Sequence, residues 1–508
     1  MALKLEAEFI KKPTTTISMA QIRRQSTKNA IYIYLGAGLG LASNLLFTRY
    51  LSLDENGVLA LVFSFGAVIA SFSNLGFTFA GVRYFPEMRS VEKHHHGYLY
   101  QSLLLGCGAA VVMSLGFYLT KDFWISSKND LFHSYYWYVG IVALALTAFN
   151  AISSYMRFNF NTTTPTLAKE FLQRFLFIIG FIPVMLGLIN FQLYVMLYVL
   201  VVVFISIALF LFVKQKGYLY LGNYFKELSH AFKRKFRQAC VYGVLTGLGS
   251  SALLYLDSIM INSLMTTADV GIYVRNFYFA TIILMASRAV QGISQTHISE
   301  SFAKNDLNAV KDVYYKACLV QTVIGLLFFL GIWGNINNVY RIIPDTYSPG
   351  MYVILVVGIG NLVNMMTGAN QLVLAASPYY KINTYTMFIL VLLAIALNFW
   401  LIPLYGITGA AIATASSTIL FNLMRSAVIL IKYQFQPYNY KYLLLFAFAA
   451  FAYYLAQLMP VQDQLIVDLA LRSFILGASF ILPVYLFKIS PDINTLIEKL
   501  LAPILRRF

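Results

Sequence analysis

The sequence predicts an all-α, polytopic membrane protein. Three observations carry that prediction: the composition, the recurrence of helix-length apolar runs, and the placement of the basic residues. Of 508 residues, 59% are hydrophobic and 11% charged, and the mean hydropathy is +0.70. Soluble domains are roughly 45–50% apolar and about 25% charged, so no water-soluble fold could hide this much apolar surface and lipid must be the solvent. A helix crosses the roughly 30 Å of hydrocarbon in about 20 residues. Apolar runs of that length occupy 30–49, 57–79, 98–120, 135–156, 170–190, 192–213, 239–264, 270–296, 313–334, 350–376, 382–403, 406–431, 441–459 and 466–487, which predicts about fourteen transmembrane helices. The fifth run opens with Glu170 and Arg174; the eleventh and twelfth are separated by Leu404 and Tyr405 alone. Aromatic residues crowd the edges of the runs, as in Tyr135–Tyr136–Trp137–Tyr138, where rings with one polar edge favour the headgroup level.

The basic residues test this topology independently. The formal net charge is +17, a balance that elsewhere suggests nucleic acid. Here the lysines and arginines sit in short loops between apolar runs. With both termini cytoplasmic, about 28 of the 37 fall on the cytoplasmic side and about 5 on the other, the bias of membrane insertion. Nucleic-acid binding is therefore excluded. Residues 1–29 are polar and carry Lys4, Lys11, Lys12, Arg23, Arg24 and Lys28; no cleavage site follows the first run, which is expected to be an uncleaved signal-anchor. Cys107, Cys240 and Cys318 have no disulfide or zinc spacing and are expected to be apolar fillers.

The longest internal polar segment is 214–238, with Lys233–Arg234–Lys235 and Arg237. It predicts a basic cytoplasmic connector between an N-lobe over 30–213 and a C-lobe over 239–431, followed by two peripheral helices over 432–487 and a cytoplasmic tail over 488–508. A short internal repeat agrees. Glu55-Asn56-Gly57 and Asp269-Val270-Gly271 each place an acid two residues before a glycine at the start of a helix, where a carboxylate suits the positive helix terminus. Repeated lobes are a transporter architecture, with substrate bound between them.

Five segments, in order along the chain, resemble one family. Asn398 to Thr414 (NFWLIPLYGITGAAIAT) is similar to the eleventh-to-twelfth helix signature of bacterial polysaccharide flippases. Leu46 to Gly57 (LFTRYLSLDENG) is similar to that family's first hairpin, and Asn74 to Glu87 (NLGFTFAGVRYFPE) to its LG…RF.PE stretch. Asp257–Ile261 followed by Val270–Tyr273 resembles its seventh-helix motif, and Ser301–Asp306 the segment before its ninth helix. The chain thus resembles the Wzx-type O-antigen flippases, in the superfamily that also holds multidrug-and-toxin extruders and peptidoglycan-precursor flippases. The resemblance implies two six-helix lobes in a V shape, alternating access, no cofactor, and a lipid-linked oligosaccharide as cargo. It further implies residence in the bacterial inner membrane and work alongside glycosyltransferases and a polysaccharide polymerase. The run His94–His95–His96 departs from the family pattern, and its spacing is not that of a metal site.

Flipping such a lipid requires a hydrated, cationic chamber for the pyrophosphate. Arginine suits it, being always protonated and fork-shaped, and an intramembrane cation is costly enough to mark function. Arg275 is the first candidate, about 9 Å inside the eighth span. Arg288 lies about 20 Å further along the same span; Arg49 ends the first span, Arg83 follows the second, and Arg425 lies in the twelfth. Snorkelling to the interface is the plain alternative for those near helix ends. Asp257, at a depth similar to Arg275, is either its ion-pair partner or a residue coupling transport to a proton or sodium ion. Arg174 with Glu170 is an i, i+4 pair and structural. Asn44, Asn74, Asn361 and Asn364, with Ser71, Asn370 and Gln371, either line the chamber or bond between helices. No phosphate loop, nucleophile elbow or metalloprotease motif is present in the sequence, which argues against an enzyme. A multidrug extruder of the same architecture usually has acidic cavity residues; a peptidoglycan-precursor flippase shares the basic cavity.

Overall fold

A computed structural model of the chain describes residues 19–505 apart from 91, 125–129, 221, 223, 286 and 380. Helices dominate, and no strand occurs among the described residues. The chain divides into two compact units between Ser263 and Leu264.

The first unit contains α1 (Met19–Tyr50), α2 (Leu53–Ser73), α3 (Phe77–Met88), α4 (Tyr98–Leu119), α5 (Tyr138–Phe158), α6 (Gln173–Met185), α7 (Phe191–Gln215) and α8 (His230–Leu264). Helix α1 begins inside the stretch expected to be a polar tail. Helix α5 is the hub, packed against α2, α3, α4 and α7. Its Phe149, Ile152 and Tyr155 are buried with Phe85 of α3, Tyr98 of α4 and Phe236 of α8. Lipid is as apolar as leucine, so close packing and interhelical hydrogen bonds hold such a bundle together. Ser206 Oγ of α7, for instance, donates to the Ala145 carbonyl of α5 at 2.8 Å. Arg174 bonds Glu170 at 3.1 Å and donates to the Gly36 carbonyl of α1 at 2.6 Å, the structural role expected of the pair.

The second expected span is broken. Leu75 and Gly76 take left-handed φ of 48° and 71°, ending α2 and restarting the chain as α3. Gly76 is required there: a Cβ would stand 2.0 Å from the Cys240 carbonyl oxygen of α8. Ahead of α4, His94, His95 and His96 all adopt left-handed φ near 50°. His95 is buried between Phe85 and Tyr155.

The second unit contains α9 (Thr267–Ile282), α10 (Ser287–Ala303), α11 (Leu307–Trp333), α12 (Met351–Thr367), α13 (Asn370–Ala376), α14 (Lys381–Tyr433), α15 (Tyr440–Leu458), α16 (Leu465–Leu486) and α17 (Pro491–Leu505). Helix α12 is central, packed against α9, α11 and α14. The α15–α16 hairpin docks on α11. The contact is apolar, with Leu326 and Leu330 of α11 buried in one cluster with Ala449 of α15 and Leu476 and Phe480 of α16. Within α16 lies a buried ion pair: Arg472 Nε and Nη2 each meet Asp468 at 3.2 Å. Asp468 also accepts from Asn338 and from the Gln462 amide at 2.9 Å, so both charges are satisfied.

The repeat has a structural basis. Ser52 accepts from the Glu55 amide at 3.2 Å while Glu55 accepts from the Ser52 amide at 2.8 Å. Thr266 and Asp269 form the same reciprocal pair, at 3.2 and 3.1 Å. Each pair satisfies two helix-terminal N–H groups that would otherwise be orphaned. The helices therefore start four residues before Gly57 and Gly271, not at them.

Among the described residues eleven helices are long and apolar enough to cross a membrane. The difference from fourteen has three sources. A π-helical turn over Leu167–Leu172 precedes α6, leaving a regular helix of 13 residues, about 20 Å long. Part of α8, at 245, 246 and 248–253, has side chains outside the described residues. Helix α14 runs for 53 residues, about 80 Å at helical rise, which spans the hydrocarbon more than twice. Gly406 turns it in the middle with φ 60° and ψ −140°, a conformation only glycine reaches cheaply. The faces of these helices remain apolar outside the bundle, as with Val111, Val112 and Leu115 of α4 and Phe388, Leu392 and Phe399 of α14. A solvent of lipid accounts for that.

Candidate functional site

The polar residues of the second unit gather where the chain breaks between α12 and α13. Asn370 opens α13 and donates to Asn422 Oδ1 at 3.2 Å. Asn422, on α14, donates in turn to Asn364 Oδ1 of α12 at 3.3 Å. Three residues along α14 from Asn422, on the same helix face, Arg425 is 3% exposed. Its Nη1 reaches Gln371 Oε1 at 3.5 Å, and its guanidinium lies 3.7 Å from the centre of the Phe421 ring. Its Nε has no hydrogen-bond partner among the described residues, and no carboxylate there lies within 4.0 Å of it. A second limb of the seam joins α10, α11 and the break itself. Ser287 Oγ donates to Gln321 Oε1 at 2.7 Å, and Gln291 Nε2 donates to Ser287 Oγ at 2.8 Å and to the Gly368 carbonyl at 3.3 Å.

Among the described residues this seam combines one buried guanidinium, with no carboxylate near it, with amides that donate and accept equally well. The cation matches a phosphate, and the amides match the hydroxyls of a sugar. Sequence reading had singled out Arg425, Asn364, Asn370 and Gln371 but missed Asn422, Ser287, Gln291 and Gln321. The i, i+3 spacing of Asn422 and Arg425 was the available signal.

The other candidates are placed as follows. Arg275 is half-buried on α9. Its neighbour Asn276 is fully buried, donates to the Tyr347 carbonyl at 3.0 Å and accepts from Tyr340 Oη at 2.5 Å, which fixes the rotation of α9. Asn361 Nδ2 donates to the Ala280 carbonyl at 2.9 Å, a helix-to-helix bond. Arg288 is not on a continuation of α9. A 3-10 turn over Ile283–Met285 interrupts the helix, Arg288 belongs to α10, and its side chain lies outside the described residues.

In the first unit Asp257, on α8, is 3% exposed and Asn44, on α1, is 2% exposed. Asn74 sits at the α2–α3 break and donates to Thr78 Oγ1 at 2.7 Å; Thr78 in turn meets Ser154 of α5 at 2.9 Å. Arg49 is exposed at the end of α1, and Arg83 is exposed on α3, its guanidinium 5.6 Å from the Tyr84 ring centre. Sequence reading passed over Arg89 and Arg157, which line a pocket of about 230 Å³. Among the described residues no group of three or more metal-ligating side chains is positioned to hold an ion.

The fold defines a multi-pass membrane protein with the architecture of a solved flippase and of solved multidrug transporters. Superposed on the lipid II flippase MurJ in an inward-closed conformation, the chain gives a TM-score of 0.70 at 14% identity, covering 89% of this chain and 98% of MurJ. Against an inward-facing multidrug-resistance MATE transporter the TM-score is 0.60 at 11% identity, covering 76% of this chain and 92% of that one. In sequence the chain is similar to two proteins of Haloferax volcanii. One is the probable flippase AglR, 27% identical over 189 residues, 36% of this chain and 39% of AglR. The other is the probable low-salt glycan biosynthesis flippase Agl15, 25% identical over 202 residues, 38% of this chain and 42% of Agl15. The matched regions thus span about two fifths of each curated relative. No family model matches the chain.

Proposed function

We propose that this chain is a flippase that moves lipid-linked oligosaccharide units, carried on a polyprenyl pyrophosphate, across the bacterial inner membrane by alternating access. The product would feed surface polysaccharide or O-antigen assembly, with glycosyltransferases supplying the cargo and a polymerase consuming it. The observation that carries the reading is Arg425, a buried cation set among amides, with no carboxylate beside it among the described residues. An intramembrane guanidinium of this kind is expensive unless a ligand uses it. The relatives named as flippases support the class; the glycan, the inner membrane and cytoplasmic termini are this proposal's own.

In this scheme Arg275, Arg288, Arg425, Arg49 and Arg83 receive the pyrophosphate at different stages. The asparagines contact sugar hydroxyls, and Asp257 couples the cycle to a proton or sodium ion. No covalent chemistry is assigned to the chain, and no cofactor. A second reading, a peptidoglycan-precursor flippase, draws on the extent of the likeness to MurJ.

The deciding experiment reconstitutes the purified chain in liposomes. One series contains a fluorescent lipid-linked oligosaccharide, a second the lipid-linked peptidoglycan precursor, and a third a cationic drug. Faster loss of outer-leaflet oligosaccharide than in protein-free vesicles is expected. Movement of the drug alone would overturn the proposal, and movement of the precursor alone would select the second reading.

A further inference from the structure

Outside the seam, two arginines come together in the first unit, where α3 and α5 end. Arg89, just past α3, and Arg157, in the last turn of α5, line one pocket of about 230 Å³ with Phe85, Pro86, Phe158 and Phe160. At about 30 Å³ per water, that is room for roughly eight waters, enough for a phosphate group.

Among the described residues the partners of both arginines are neutral. Arg89 Nη2 donates to the Phe158 carbonyl at 2.6 Å. Arg157 donates from Nη2 to Ser153 Oγ at 2.7 Å and from Nε to the Ser153 carbonyl at 3.4 Å. A guanidinium has five N–H donors, so most on each are not used by the described residues. Among the described residues no carboxylate stands within 4.0 Å of either.

The backbone is strained to complete the pocket. The chain leaves α5 through a left-handed residue, with the Asn161 amide bonding back to the Met156 carbonyl at 2.9 Å. Glycine normally fills that place, yet here it is Phe160, at φ 62°. The ring lies 4.2 Å from the Arg89 guanidinium and faces the cation. Gln25 of α1 holds the turn by donating to the Phe160 carbonyl at 2.9 Å. A phenylalanine kept in a glycine conformation, pinned from another helix and stacked on an arginine, is arranged to hold that arginine edge-on to a ligand. Beside the pocket α3 presents Phe79 and Val82, 41% and 68% exposed, a ledge suited to an acyl or prenyl chain.

We propose that Arg89 and Arg157 form a binding site for the phosphate of a lipid headgroup, the lipid tail lying along Phe79 and Val82. Two guanidinium forks match phosphate oxygens bidentately, and the apolar ledge distinguishes a lipid phosphate from a free one. The proposal rests on the membrane placement of this chain but not on its cargo. Two lipids share the required chemistry, an anionic phospholipid and a polyprenyl pyrophosphate.

The test is native mass spectrometry of the purified full chain in detergent, titrated with phosphatidylglycerol, with undecaprenyl pyrophosphate and with inorganic pyrophosphate. Wild type is expected to retain one or both lipids well above inorganic pyrophosphate. The double variant Arg89→Gln, Arg157→Gln should bind the retained lipid at least tenfold more weakly. Loss confined to undecaprenyl pyrophosphate would identify the site as a cargo site, and loss confined to phosphatidylglycerol as a phospholipid site. Equal binding by wild type and the double variant overturns the proposal. Should the double variant fail to fold, Phe160→Gly decides. It keeps both cations and suits the left-handed backbone, so weaker lipid binding is expected and unchanged binding overturns the proposal. Because no transport is measured, lipid binding here by a chain that flips nothing would sink the function proposed above and leave this site standing.

Discussion

Replacing Arg425 with methionine should make the protein more stable and less active at once. The side chain is buried, its Nε lacks a partner among the described residues, and its one hydrogen bond to Gln371 is long at 3.5 Å. On insertion scales an arginine at the centre of a membrane helix costs about 3 kcal/mol more than an apolar residue. The Phe421 ring, 3.7 Å away, returns up to about 2 kcal/mol when the pair is desolvated. Methionine keeps the stem's packing and removes the charge, so about 1 kcal/mol of net stabilisation is expected, visible as a higher melting temperature in detergent. If the cation serves a phosphate, flipping in liposomes should fall at least tenfold in the same variant. A loss of about 3 kcal/mol or more would mean that a counter-charge had been orphaned and that Arg425 is structural. Wild-type flipping by a stable variant would remove it from the site.

Arg275→Ala should abolish flipping without loss of membrane insertion, measured by export in cells alongside the amount of protein in the membrane fraction. Arg472→Ala leaves Asp468 buried with Asn338 and the Gln462 amide as its remaining partners and should cost about 3–5 kcal/mol, releasing the α15–α16 hairpin to limited proteolysis. The double variant Asp468→Leu, Arg472→Met should recover most of that loss; no recovery would mean that the stranded charge is not its cause. Gln434→Gly should stabilise by about 1 kcal/mol. Gln434 is exposed, holds φ 56° just past α14, and glycine adopts that conformation without strain. An unchanged melting temperature would count against it.

The all-helical, multi-span class was legible because a bilayer demands long apolar runs and sorts basic residues to one side. Those constraints act on composition and need no knowledge of packing. Where packing decides, the sequence was silent. The break at Leu75–Gly76 depends on α8 approaching within contact of Gly76. The interruption after Ile282 falls within a run apolar enough to pass as one span. The seam around Arg425 was half visible: intramembrane arginine and asparagine stand out by their cost. Gln321 and Ser287 do not, since a lone glutamine or serine in a membrane helix commonly bonds a neighbouring helix. Asp468 and Arg472 were hidden because a buried pair at i, i+4 looks in one dimension like any surface pair.

The reciprocal hydroxyl–carboxylate clasps at Ser52–Glu55 and Thr266–Asp269 have an evolutionary consequence. Losing either half strands the other, so drift at one position must pass through a weakened intermediate unless both change together. Both carry the same spacing to a buried glycine, Gly57 and Gly271. That three-residue signature, present twice, offers a way to trace the ancestry of distant chains whose general identity has eroded.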